Sequence, residues 1–238
     1  MTKSPEPFLF GRNAVSLNEK AYAALEEFIV TGALAPGSQW SESALAEKIG
    51  LGRTPTREAL QKLAYQRLVR IAPRQGVFIS EIDYQGQLKI IQVRREIEHL
   101  VVMQAAQLAS VEERNSLRLL ADQLSDLKTT KDMRVYMRLH FALTHLLGEA
   151  SRNVYAAEFY STLQTLARRF LYFHQDRYTE MAQICDLHIR QIEAVVDGNA
   201  EAAVAVSVAR NDYAENFARE IVMELIINSE VKISIAPR

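Results

Sequence analysis

The chain has 238 residues, 48% hydrophobic and 24% charged, with a formal net charge of -1, the composition of a soluble globular protein of one or two domains. Its single cysteine, Cys185, excludes an intrachain disulfide framework and a cysteine-rich zinc site and suits a reducing cytoplasm. The N-terminal stretch lacks the apolar core of a signal peptide and no apolar run approaches spanning length, so neither secretion nor membrane insertion is expected.

Residues 1–15 read as a loose arm, since Pro5, Pro7 and Gly11 oppose regular structure. A helix follows: Ser16 and Glu19 form a capping box, and Ala21, Leu25, Phe28 and Ile29 share one face. "APGSQW" is a break, and "SESALAEKIG" is a short helix that starts near Ser41 or Glu42 and stops at Gly50. In "GRTPTREAL", Thr54 is the expected N-cap and Pro55 the first helical residue of a helix running to about Gln66. Two short helices joined by a glycine turn make a helix-turn-helix, and "LVRIAPRQGVFIS", alternating around Pro73–Gly76, adds a β-hairpin wing.

Arg53 and Arg57 stand in the first turn of the third helix, where the backbone field is already positive. This is sensible if the balancing anion lies on another molecule, and DNA phosphates and guanine edges fit. The plainer alternative is a solvated helix start whose arginines pair with Glu47 or Glu58. The charge distribution supports the first reading. Residues 1–80 hold 10 basic and 7 acidic residues, residues 81–238 hold 18 and 22, and between Lys48 and Arg74 seven basic residues face one acid. Arg53, Thr54, Thr56 and Arg57, with Arg74 and Gly76 at the wing tip, are the candidate contacts to double-stranded DNA.

After a linker over 81–87 the chain turns to nearly unbroken helical periodicity, over 88–109, 111–128, 132–150, 153–177, 179–197 and 199–228. The expected fold class is mainly α: an N-terminal winged helix-turn-helix over 16–80, then an all-α bundle over 88–228 and a tail at 229–238. No P-loop, Rossmann fingerprint, nucleophile elbow or zincin motif is present.

The string "TGALAPGSQWSESALAEKIGLGRTPTREALQKLAYQRLVRIAPRQGVFIS" resembles the DNA-binding domain of GntR-family transcription regulators, and the helical remainder resembles the FCD effector domain of the FadR subfamily. The resemblance covers about residues 15–225. It implies a cytoplasmic, ligand-responsive repressor that binds a palindromic operator as a homodimer, with the bundle binding effector and dimerising. Arg53, Thr54 and Arg57 match the family's DNA-contact positions and Gly76 its wing tip. Gly52 departs from a usual serine or threonine, Arg67 stands where glycine is common, and Trp40 replaces a leucine.

Many FCD domains hold a divalent metal through one aspartate and three histidines. Aligning "EASRN" and "CDLHIRQIEAVVDGN" puts His140, Thr144, His188 and Arg210 at those four positions, so one ligand is kept in kind. Arginine cannot ligate a metal. The expectation is therefore no metal cofactor, with His140, His188 and a third group such as His145 as the weaker alternative. Arg210 instead suits a small anionic metabolite. Arg94, in "VRREIE", matches a pocket arginine of the family and would add donors, although Glu98 at i+4 is an alternative partner, and Arg168 or Arg169 in "LARRF" would close the pocket, with nothing in the stretch to choose between them. The effector set is thus Arg94, His140, Thr144, His188 and Arg210. Two rival functions are a metal-dependent enzyme built on the bundle's histidines and a DNA-binding protein without effector.

Overall fold

The structure, a computed structural model, describes residues 16–177 and 180–235, with side chains to residue 225; the arm expected at 1–15 lies outside them. The first unit comprises α1 (Leu17–Val30), β1 (Gln39–Trp40), α2 (Glu42–Ile49), α3 (Arg53–Tyr65), β2 (Val69–Ala72) and β3 (Gly76–Ile79). Ser16 and Glu19 form the expected capping box, Ser41 caps α2, and Gly50 ends it in the left-handed conformation at φ 68°. The wing has one strand more than expected. β3 pairs antiparallel with both β2 and β1, and β1 is too short to show alternation.

Two expectations for this unit give way to the structure. α3 begins at Arg53 with Gly52 as its N-cap, so Thr54 lies inside the first turn and Pro55 is the third helical residue, still where an amide needs no helical acceptor. Arg67, where the family prefers glycine, has φ 61°, a region that side chains with a Cβ rarely occupy. Trp40 packs against the unit's core, its indole nitrogen donating to Ser38 Oγ at 2.9 Å.

The second unit is a bundle of α4 (Gln87–Leu108), α5 (Val111–Thr130), α6 (Met133–Ala150), α7 (Val154–Phe173), α8 (Met181–Val196) and α9 (Ala200–Ile235), with a 3-10 turn at Gln175–Arg177. Helix starts follow their side chains: Ser110 with Glu113, Asp132 and Asn153 cap α5, α6 and α7. α9 continues through 229–235 of the expected tail, and 236–238 lie outside the described residues. No helix among the described residues is long and apolar enough to cross a membrane.

The bundle core joins Val101, Leu120, Leu143, Tyr160 and Val195, while Leu25, Leu45, Leu63 and Val77 form the core of the winged unit. Phe141 of α6 belongs to this second cluster, so the bundle inserts a ring into the winged unit. Two arginine–glutamate pairs flank it. Arg138 holds Glu27 through Nε and one terminal nitrogen at 2.9 and 2.6 Å, and Arg168 of α7 holds Glu26.

Candidate functional site

On α3, Arg53 and Thr54 are exposed in the first turn, and Arg57 follows one turn on. Arg57 is 62% exposed and pairs at 3.1 Å with Glu42 of α2, not with Glu47 or Glu58. Glu58 is held instead by Asn18. A surface pair of this kind is worth little, so Arg57 is free to exchange its carboxylate for a phosphate or guanine. Gln61 extends the same face at i+4 and is exposed. Thr56 is removed from the contact set: it is fully buried and its hydroxyl donates to Gly52 O at 2.8 Å, fixing the helix start from within. Arg74 is exposed at the wing turn. Gly76 has a structural reason of its own, since at φ 104° an added Cβ would meet Trp40 O at 2.5 Å.

The bundle holds a cavity, partly open to solvent, lined among others by Arg94, Tyr136, His140, Arg168, Arg210 and Phe217. Arg210 is 6% exposed and donates to Glu98 Oε1 at 2.6 Å and Gln191 Oε1 at 2.5 Å. Burial opposes its charge, but Glu98 and the Tyr160 and Tyr136 oxygens outweigh that and raise its pKa. Arg94 donates through Nε to Asn211 Oδ1 at 2.9 Å and makes no other hydrogen bond among the described residues. Burial lowers its pKa, Glu98 opposing and Arg210 adding to the shift.

The hub is Glu98, which the sequence marks only as a neighbour of Arg94 at i+4. Fully buried, it accepts from Gln164, Gln191, Arg210 and Asn211 on α7, α8 and α9. The choice left open in "LARRF" resolves by helix phase. Arg168 faces the cavity, and Arg169 faces a separate cleft beside the linker, donating to Ser80 O.

His140 and His188 lie with ring centroids 4.8 Å apart. The Tyr136 hydroxyl, whose pKa burial raises, and His188 Nε2 share a hydrogen bond at 2.9 Å whose direction is set by the ring's tautomer. Both His140 nitrogens and His188 Nδ1 are buried without a partner. The surrounding groups do not fit a metal. Thr144 is outside the cavity lining and spends its hydroxyl on His140 O, and Arg210 occupies the fourth position. The His145 ring lies against Phe141 at 4.4 Å, and no cluster of three His, Cys, Asp or Glu suited to a metal occurs among the described residues.

Both histidine pKa values lie well below the ordinary 6.5: burial lowers both, followed for His140 by His188 and the arginines, and for His188 by Arg210 and Arg94. The native state therefore keeps them neutral while the unfolded chain protonates them below about 6.5. Their contribution to stability is complete above that pH and declines below it, by up to about 1.4 kcal/mol per pH unit per histidine. Urea midpoints should fall between pH 7.5 and 5.5, less steeply in His188→Gln; an unchanged slope in that variant would contradict the assignment.

An exposed cationic helix start with a wing, joined to a helical bundle around a buried cationic cavity, defines a winged helix-turn-helix regulator with a second, helical domain. Residues 17–79 match the bacterial regulatory proteins of the gntR family and residues 89–210 match the FCD domain; the chain belongs to the GntR family and carries an FCD domain.

A regulator from an unstable DNA locus of Streptomyces ambofaciens is 44% identical over 62 residues, 26% of each chain. HTH-type regulator YdhC of Bacillus subtilis is 29% identical over 189 residues, 76% of this chain and 82% of YdhC. HTH-type transcriptional regulator McbR of Escherichia coli is 29% identical over 119 residues, which span about half of each chain. The solved structure of E. coli McbR/YncC shares the fold with a TM-score of 0.71 at 21% identity, covering 87% of this chain and 99% of that one. All three are transcriptional regulators.

Proposed function

We propose that the chain is a ligand-responsive transcriptional repressor that binds a palindromic operator as a homodimer and is released by a small carboxylate-type effector in the bundle cavity, without a metal. The observation that carries the effector's class is the charge balance around the cavity. Three buried guanidinium groups, Arg94, Arg168 and Arg210, meet two buried carboxylates, Glu26 and Glu98. The surplus positive charge and the unmatched terminal nitrogens of Arg94 are what one carboxylate would satisfy. Arg53 and Arg57 supply the DNA contacts, and a dimer suits the small surface that one winged module buries on DNA.

The test is to select binding sites from random duplex DNA and challenge the complex with a panel of small mono- and dicarboxylates, with and without EDTA. An inverted repeat should be recovered. At least one acid should lower affinity in the wild type but not in Arg94→Gln, and EDTA should change nothing. Recovery of no repeat, insensitivity to every acid, or loss of the response in EDTA would overturn the corresponding part of the reading.

A further inference from the structure

Arg168 belongs to two places at once. It lines the cavity beside His140 and Arg210, and it forms the buried ion pair with Glu26 that joins α7 to α1 of the winged unit. Arg168 and Glu26 are 1% and 3% exposed, so the pair is buried where it stands. Its hydrogen bonding is also incomplete. One terminal nitrogen donates to both Glu26 Oε1 and Thr165 Oγ1, while Nε and the other terminal nitrogen are buried without an acceptor.

That pattern matters because of guanidinium geometry. A carboxylate engages arginine bidentately along one of two edges, either Nε with the far terminal nitrogen or the two terminal nitrogens together. Both edges use the nitrogen whose two hydrogens are already committed, one to Glu26 and one to Thr165. An anion arriving from the cavity side finds one free donor on each edge and must compete for the second.

We propose that Arg168 is an effector contact and the release point of the winged unit: an anion in the cavity takes Arg168 away from Glu26, and the orphaned Glu26 drives α1 off the bundle. The proposal rests on the anionic-effector reading above and adds its route to the DNA. A carboxylate deprived of its only charged partner among the described residues does not stay buried. α1 shares one core with α3 through Leu25, Ile29, Leu60 and Leu63, so displacement of α1 carries the DNA-facing helix with it. The nearby Arg138–Glu27 pair is partly exposed and faces no part of this cavity, so it stays as the pivot.

The test uses the full chain with spin labels at E47C on α2 and L119C on α5, both exposed, Cys185 being fully buried and left in place. Inorganic phosphate and succinate are the probes, with anion affinity read by calorimetry and the label separation by electron resonance. In the wild type, an anion that binds should shift the separation. R168Q, which orphans Glu26 without any ligand, should show the shifted separation without anion. E26Q, with no charge to expel, should bind the same anion roughly tenfold or more tightly while moving the labels less, the worth of one charged hydrogen bond no longer contested.

T165V, nearly isosteric, frees one hydrogen of the shared nitrogen without touching Glu26. It should bind the anion more tightly yet move the labels less, and it keeps the proposal open to refutation should E26Q fail to fold. Bound anion with unmoved labels in the wild type, or E26Q and T165V binding no more tightly than the wild type, would overturn the proposal. If no variant binds either probe, the competition fails together with the anionic-effector reading. A shifted separation in R168Q alone would then leave only the Glu26 lock standing, so the two failures are told apart.

Discussion

Glu98→Ala is expected to destabilise the chain by about 3–5 kcal/mol, the range for removing one partner of a buried ion pair. Arg210 would be left charged and buried, and the amides of Gln164, Gln191 and Asn211 would lose their shared acceptor. Urea denaturation gives the number, and chemical rescue adds a sharper readout. Millimolar acetate should restore part of the loss in Glu98→Ala, because the space left by the side chain is carboxylate-sized and lined by donors. A loss below about 1 kcal/mol would show that Arg210 does not depend on Glu98.

The second large effect concerns DNA. Arg53→Ala and Arg57→Ala should each weaken operator binding by about 1–3 kcal/mol if the arginine reads a guanine bidentately, with relaxed specificity at one base pair. A uniform loss over all sequences, with a shallower salt dependence, would assign the residue to phosphate. Neither change should alter the melting temperature by more than a degree or two, since both side chains are exposed and the Arg57–Glu42 pair lies at the surface. Unchanged operator affinity in both variants would remove α3 from the DNA interface.

Local chemistry made most of the fold legible. Ser16 with Glu19, Ser41 and Gly50 each announce a helix boundary within a few residues of sequence, and the bundle's periodicity locates its six helices to within a few residues at most ends. β1 escaped because two residues carry no period. Thr56 was misjudged because it shares a turn with exposed Arg53 and Arg57, and only the angle at which α3 meets its own core decides which hydroxyl is buried.

The cavity was legible only in part. Arg94 and Arg210 could be named by matching blocks, but Glu98 gathers donors from positions 164, 191, 210 and 211, and no spacing in the chain encodes that meeting. Arg168 and Arg169 are neighbours about 100° apart on one helix, so their division between cavity and linker cleft is set by how α7 lies against α1 and α4.

The ring of Phe141 seated in the winged unit's core bears on modular exchange between regulators. A winged unit grafted from this chain onto a foreign bundle keeps its own helices and strands but loses an aromatic plug and the arginine partners of Glu26 and Glu27. Compatibility between the halves is therefore written in bundle positions that include 138, 141, 168 and 169, and a working chimera must carry them across along with the segment that recognises DNA.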